Sequence, residues 1–143
     1  MRPVLVRDIM TSQVVTFFAE QSLPLVEDVM RIHQFRHLPV IDNDRRLLGL
    51  ITERDLLRGQ ISVLTGLSED ARRARQEDIK ISQLMTRDVW TVTPDTLASH
   101  AGQTLLDHRF SCLPVVDQDQ VLCGILTERD FLKFAIKALR VND

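Results

Sequence analysis

The sequence predicts an α/β (α+β) protein made of two copies of one β-α-β-β-α unit, and three observations predict it. Shifting the 143-residue chain by 75 positions lays residues 6–57 over 81–132 without a gap, and 18 of those 52 pairs are identical. Helix-period and strand-period apolar patterns follow one another in the same order in both copies. Each copy also closes on one phrase, Gly49-Leu50-Ile51-Thr52-Glu53-Arg54-Asp55 and then Gly124-Ile125-Leu126-Thr127-Glu128-Arg129-Asp130. Two copies are fewer than a solenoid needs, so a closed pair packed face to face is the expected outcome.

Each copy opens with a short helical turn, residues 7–10 or 82–85, which leads into an extended piece, Val14-Val15-Thr16 or residues 89–92. Val26, Val29, Met30 and His33 then recur at i, i+3, i+4 and i+7, predicting a helix over residues 23–34. The second copy offers Leu97, Ala98, Ala101 and Leu105 for the same face. A strand at residues 37–41 or 112–116 follows. A polar tip, Asp42-Asn43-Asp44 or Asp117-Gln118-Asp119, joins it to a second strand at residues 47–51 or 121–126, making a hairpin. The closing phrase starts one more helix. In the last of these, Phe131, Leu132, Ala135, Ile136 and Leu139 form one stripe, with Lys133, Lys137 and Arg140 off it.

The domain reading is repeat 1 over residues 1–57, a helical connection over 58–80 and repeat 2 over 81–143. The connection continues the helical spacing through Leu57, Ile61 and Leu64, weakened by Gly59. Ser68-Glu69-Asp70 reads as a second helix start, and Arg72, Arg73 and Arg75 as a solvated face. A net charge of −2 gives no electrostatic reason to expect nucleic acid or an anionic membrane as partner. No apolar run is long enough to span a bilayer, and the first residues lack the apolar core of a signal peptide. Cys112 and Cys123 are too few for a disulfide scaffold and lack zinc spacing, so a reduced cytoplasmic setting is expected.

Thr-x-x-Asp ahead of an apolar-periodic helix can serve in two ways. As a capping box, the threonine hydroxyl accepts the N–H three residues on and the aspartate answers, one methylene shorter than the usual glutamate. As a ligand seat, the helix N-terminus, the hydroxyl and the neighbouring arginine attract phosphate, while the carboxylate accepts two hydrogen bonds from a ribose diol. Phosphate and diol together describe a nucleotide.

The ordered motifs Met-Thr-x-x-Val-x-Thr, helix, Leu-Pro-Val-[IV]-Asp, Gly-[LI]-[IL]-Thr-x-x-Asp, helix resemble the CBS domain, named for cystathionine β-synthase. Two in tandem resemble the CBS pair, or Bateman module. The resemblance covers nearly the whole chain outside residues 58–80 and leaves no catalytic domain beside it. It implies two repeats packed as a pseudo-twofold pair with two clefts, each drawing sugar-phosphate contacts from one copy and base contacts from the other. One cleft would join Thr127, Arg129 and Asp130 to Thr11, Val14, Val15, Thr16 and the Arg36-His37 step. The second would join Thr52, Arg54 and Asp55 to Thr86, Val89, Trp90, Thr91 and the Ser111-Cys112 step. The valines would sandwich adenine, Thr52 or Thr127 would hold phosphate, and Asp55 or Asp130 the ribose hydroxyls. The clefts differ: repeat 2 reads Thr91-Val92-Thr93-Pro94 where repeat 1 reads Thr16-Phe17-Phe18-Ala19, and Ser111 replaces Arg36.

The implied function is a non-enzymatic regulatory module that binds AMP, ADP or ATP, with S-adenosylmethionine behind them, and uses no catalytic cofactor. A homodimer through the last helix and a client protein complete the expected partners. A structural or partner-binding subunit whose phrases are only caps, and a nucleotide hydrolase, are the rival readings. Metal is not expected: His33 and His37 stand four apart, but Leu38-Pro39 starts a strand that parts them, and Asp42-x-Asp44 lacks the rest of a calcium loop.

Overall fold

A computed structural model describes residues 2–62, 71 and 78–142. Helices and strands are mixed as expected, and the chain forms two compact units, Met1–Val14 with Val89–Asp143 (unit 1) and Val15–Asp88 (unit 2). The leading segment of each repeat therefore belongs to the unit built on the other repeat's hairpin and helices. Leu64, Ser68-Glu69-Asp70, Arg72, Arg73 and Arg75, on which part of the connection's reading rests, lie outside the described residues.

In unit 2, β1 (Phe17–Phe18) runs parallel to β2 (His37–Ile41), which pairs antiparallel with β3 (Leu47–Thr52). Strand β1 starts later than the Val14-Val15-Thr16 piece expected for it. Its register sets Phe17 against Val40, and the Phe17 ring enters the core while Val15 stays exposed. Burial of one large ring outweighs the strand preference of two valines. Helix α2 (Leu23–His33) carries Pro24 in its first turn and buries Leu23, Val26 and Met30 on one stripe. It stops at Gln34, whose left-handed backbone (φ 57°) turns the chain into β2. Helix α3 (Glu53–Ser62) follows β3 directly. Helix α4 (Ile81–Leu84) closes this unit: Ile81 and Ser82 donate to the Gln21 and Ala19 carbonyls, and Ile81 and Met85 join the core.

Unit 1 repeats this plan. Helix α1 (Val6–Ile9) is tied by Val6 N–H to the Thr96 carbonyl and by Arg7 N–H to that of Pro94. Val6 is fully buried against Ala101, Leu105, Leu113, Val115 and Leu126. Helix α5 (Ala98–His108) buries Ala98, Ala101 and Leu105, and Leu97 is its N-cap. Gly102 on that helix is where Phe131 packs; a Cβ there would lie 3.0 Å from the ring. Strands β4 (Cys112–Val116) and β5 (Leu122–Thr127) form the hairpin, and helix α6 (Glu128–Asn142) follows. Of the extended piece at 89–92, Val92 alone bridges to Val115, through the Pro114 carbonyl and the Val116 N–H, so the proline ring removes no donor that the bridge uses.

The hairpin tips are built alike. One oxygen of Asp42 accepts the N–H groups of Asp44 and Arg46, and Asp117 does the same for Asp119 and Val121. These are Asx turns, which explain both aspartates without a metal. Cys112 stands opposite Thr127 and away from Cys123, so no disulfide joins the two.

Candidate functional site

Each closing phrase sits where a strand becomes a helix, so its threonine ends the strand and its aspartate lies in the first helical turn. Among the described residues Asp55 and Asp130 are the buried charged side chains. An ionised carboxylate so placed demands hydrogen bonds, and both have them.

In unit 1, one oxygen of Asp130 accepts the Thr127 N–H (2.9 Å) and hydroxyl (3.3 Å). Its second oxygen accepts the Thr11 hydroxyl at 2.8 Å. Thr11 arrives there by a backbone bridge: its N–H reaches the Ile125 carbonyl and its carbonyl receives the Ile125 N–H, both at 2.9 Å. Gly124 permits that approach, since a Cβ at 124 would lie 2.7 Å from the Thr11 carbonyl oxygen. Thr11 of repeat 1 and Thr127 and Asp130 of repeat 2 thus meet inside one unit.

In unit 2, Asp55 accepts the Thr52 N–H and hydroxyl, each at 2.9 Å, and the Asp55 N–H returns to the Thr52 hydroxyl at 3.2 Å. This is a reciprocal capping box on α3. Thr86 bridges Leu50 as Thr11 bridges Ile125, and Gly49 again makes room, with a Cβ 2.6 Å from the Thr86 oxygen. The second oxygen of Asp55, however, is held by the Arg58 guanidinium. Arg58 was not among the residues singled out from the sequence, although its place three after Asp55 on one helix is a readable ion-pair spacing.

The other expected residues divide between the units. The Arg36-His37 step lies beside Thr52 of its own repeat: His37 pairs with Thr52, and the Arg36 carbonyl accepts the Glu53 N–H at 2.9 Å. Cys112 likewise pairs with Thr127, placing the Ser111-Cys112 step in unit 1. The antiparallel register sets each step beside its own hairpin's closing phrase. Val15 and Thr16 fall in unit 2, and Val14, Val89, Trp90 and Thr91 in unit 1. Trp90 is exposed and packs on His108 and Phe110, with ring centroids 4.2 and 5.8 Å away. Arg54 and Arg129 are exposed at the helix starts.

Burial, and then the adjacent Arg36 charge, hold the His37 imidazole below its ordinary pKa of 6.5. Burial pushes the Cys112 thiol up to about 12, so it is a protonated core group at neutral pH. Among the described residues no group of three His, Cys, Asp or Glu side chains could hold a metal ion. The two closing phrases offer helix N-termini and hydroxyls to an anion, and a buried carboxylate to paired hydroxyl donors.

The model of the CBS domain matches this chain twice, over residues 6–62 and 81–137. The chain belongs to the CBS-domain family. This CBS pair is 29% identical to a putative acetoin utilization protein (AcuB) from Vibrio cholerae, with a TM-score of 0.85 over 99% of this chain and 96% of that one. Its TM-score to CBSX2, a CBS-pair protein of Arabidopsis thaliana in a structure with AMP, is 0.80 at 26% identity, covering 94% and 98% of the two chains. A further CBS domain pair, in complex with 5′-methylthioadenosine and S-adenosyl-L-methionine, aligns at a TM-score of 0.74 and 26% identity, over 96% and 99%. Among curated relatives, homoserine O-acetyltransferase of Methanococcus vannielii is 30% identical over 123 residues, 86% of this chain but 23% of that enzyme. The CBS pair thus spans under a quarter of the length of the first such relatives. A CBS domain-containing protein of Dictyostelium discoideum is 28% identical over 95% of this chain and 94% of its own.

Proposed function

We propose that this CBS pair is a non-enzymatic regulatory module whose ligand is an adenosine nucleotide, AMP, ADP or ATP, with S-adenosylmethionine as the other adenosyl choice. The observation that carries the reading is the buried carboxylate at a helix start, ringed by threonine hydroxyls, with its outer oxygen turned to an exchangeable partner. The ribose diol would replace that partner on Asp130 or Asp55. The helix N-terminus, Thr127 or Thr52, and Arg129 or Arg54 would face the phosphate. AMP and the methylthioadenosine–S-adenosylmethionine pair in the similar structures support an adenosyl group.

Inside unit 1 such a ligand touches Thr11 of one repeat and Asp130 of the other, so it would tighten the join of the two repeats. A client protein that reads the tightened state would receive the signal by population shift. The apolar stripe of α6 is proposed as a homodimer surface, and a cytoplasmic setting suits two cysteines that no disulfide joins.

Titration calorimetry with AMP, ADP, ATP and S-adenosylmethionine tests this. At least one ligand is expected to bind the wild type, and Asp55→Ala with Asp130→Ala to weaken it by about tenfold to a hundredfold, the worth of hydrogen bonds to a charged group. The fluorescence of Trp90, the single tryptophan, gives a second readout. No heat from any ligand would favour a structural subunit, as the capping box on α3 would suit, and turnover of a bound nucleotide would favour the hydrolase.

A further inference from the structure

The nucleotide reading leaves two carboxylates as receivers of a ribose, and their surroundings differ. The outer oxygen of Asp130 is held by a neutral group, the Thr11 hydroxyl. That of Asp55 is held by the Arg58 guanidinium, which also donates to the Leu84 carbonyl at 3.4 Å and is thereby braced from two sides. The residue equivalent to Arg58 in repeat 2 is Lys133, 75 positions on. Lys133 lines a cavity of about 580 Å³ with Asp130, Lys137, Arg2, Asp8 and Phe134, and among the described residues it pairs with no carboxylate.

We propose that Asp130, and not Asp55, is the working ribose receiver of this chain, and that Arg58 keeps Asp55 closed as a built-in competitor. The inference rests on the adenosine-nucleotide reading above. A diol displacing Thr11 exchanges one neutral hydroxyl donor on the carboxylate for another. A diol displacing Arg58 must break a charge-assisted bond to a carboxylate that is only 5% exposed, leaving that anion with neutral donors. The guanidinium end is 63% exposed and screened by solvent, which moderates the effect without removing it. The closed site is weaker by about tenfold or more.

The test is calorimetry of the full chain with AMP and with ATP, reading stoichiometry as well as affinity. The wild type takes about one nucleotide per chain in the tight phase, and Asp130→Asn abolishes that phase. Arg58→Gln and, as a second variant, Arg58→Ala keep it and bring in a second equivalent; circular dichroism melts verify that each variant is folded. Two equal equivalents in the wild type, or one equivalent that neither Arg58 variant raises, overturn the inference while leaving the nucleotide reading intact. Absence of binding by the wild type overturns the reading itself, and the inference with it.

Discussion

At the scale of single residues, His37 is the group whose protonation the fold most plainly resists. Burial and Arg36 hold its folded pKa below 6.5, so between that lower value and 6.5 the unfolded chain binds more proton than the folded one. Stability contributed by the neutral imidazole is therefore complete above pH 6.5 and is lost as pH falls from there through the folded pKa. Urea midpoints are expected to decline as pH is lowered from neutral through 6.5, and His37→Gln to remove part of that decline. Identical pH slopes in the variant and the wild type would contradict the assignment. Asp55 and Asp130 teach a related lesson: in both phrases one carboxylate oxygen accepts the threonine N–H and hydroxyl, yet each carboxylate finds a different outer partner. The phrase was legible in the sequence because its contacts are local, three residues apart. The Thr11 contact crosses 119 residues and comes only with the fold.

At the scale of elements, duplication preserves backbone strain as well as sequence. Gln34 and Arg109 end α2 and α5 in the left-handed region (φ 57° and 56°), and Arg45 and Gln120 occupy it at the hairpin tips (φ 63° and 66°). None is glycine, so each stores the steric cost of a Cβ there. Arg109→Gly is expected to raise stability by about 0.5 kcal/mol, a relief of roughly 1 kcal/mol less the added entropy of the unfolded glycine. Arg109→Val is expected to lower it by about 1 kcal/mol or more. Thermal melts of the two variants check both signs, and equal midpoints would show that the cap carries no strain. Helix stripes and hairpin registers were readable because their periods are local properties of the chain. Strand β1 was misplaced because a two-residue strand has too little period to read, and its position follows the Phe17 ring into the core.

At the scale of the whole molecule, α6 presents Leu132, Ile136 and Leu139 along one stripe, 61%, 42% and 63% exposed. Three large aliphatic side chains on one face of the last helix are more than a scattered surface background, and a second copy is the proposed cover. Sedimentation is expected to show twice the 16.4 kDa chain mass, and Leu132→Glu with Leu139→Glu to return the single-chain mass with unchanged circular dichroism. A wild type that sediments as one chain at micromolar concentration would remove the dimer.

The amino-acid sequence by itself determined the duplicated unit, its order of elements, the polar hairpin tips and the Thr-x-x-Asp phrases, because each depends on residues a few positions apart. Tertiary structure alone decided that α1 completes the unit of repeat 2 and α4 that of repeat 1, and that Thr11 meets Asp130. A four-residue helix cannot bury Val6 or Ile81 against itself. Which hairpin receives it is settled by packing and backbone bridges between residues far apart in the chain, and local spacing carries no record of those.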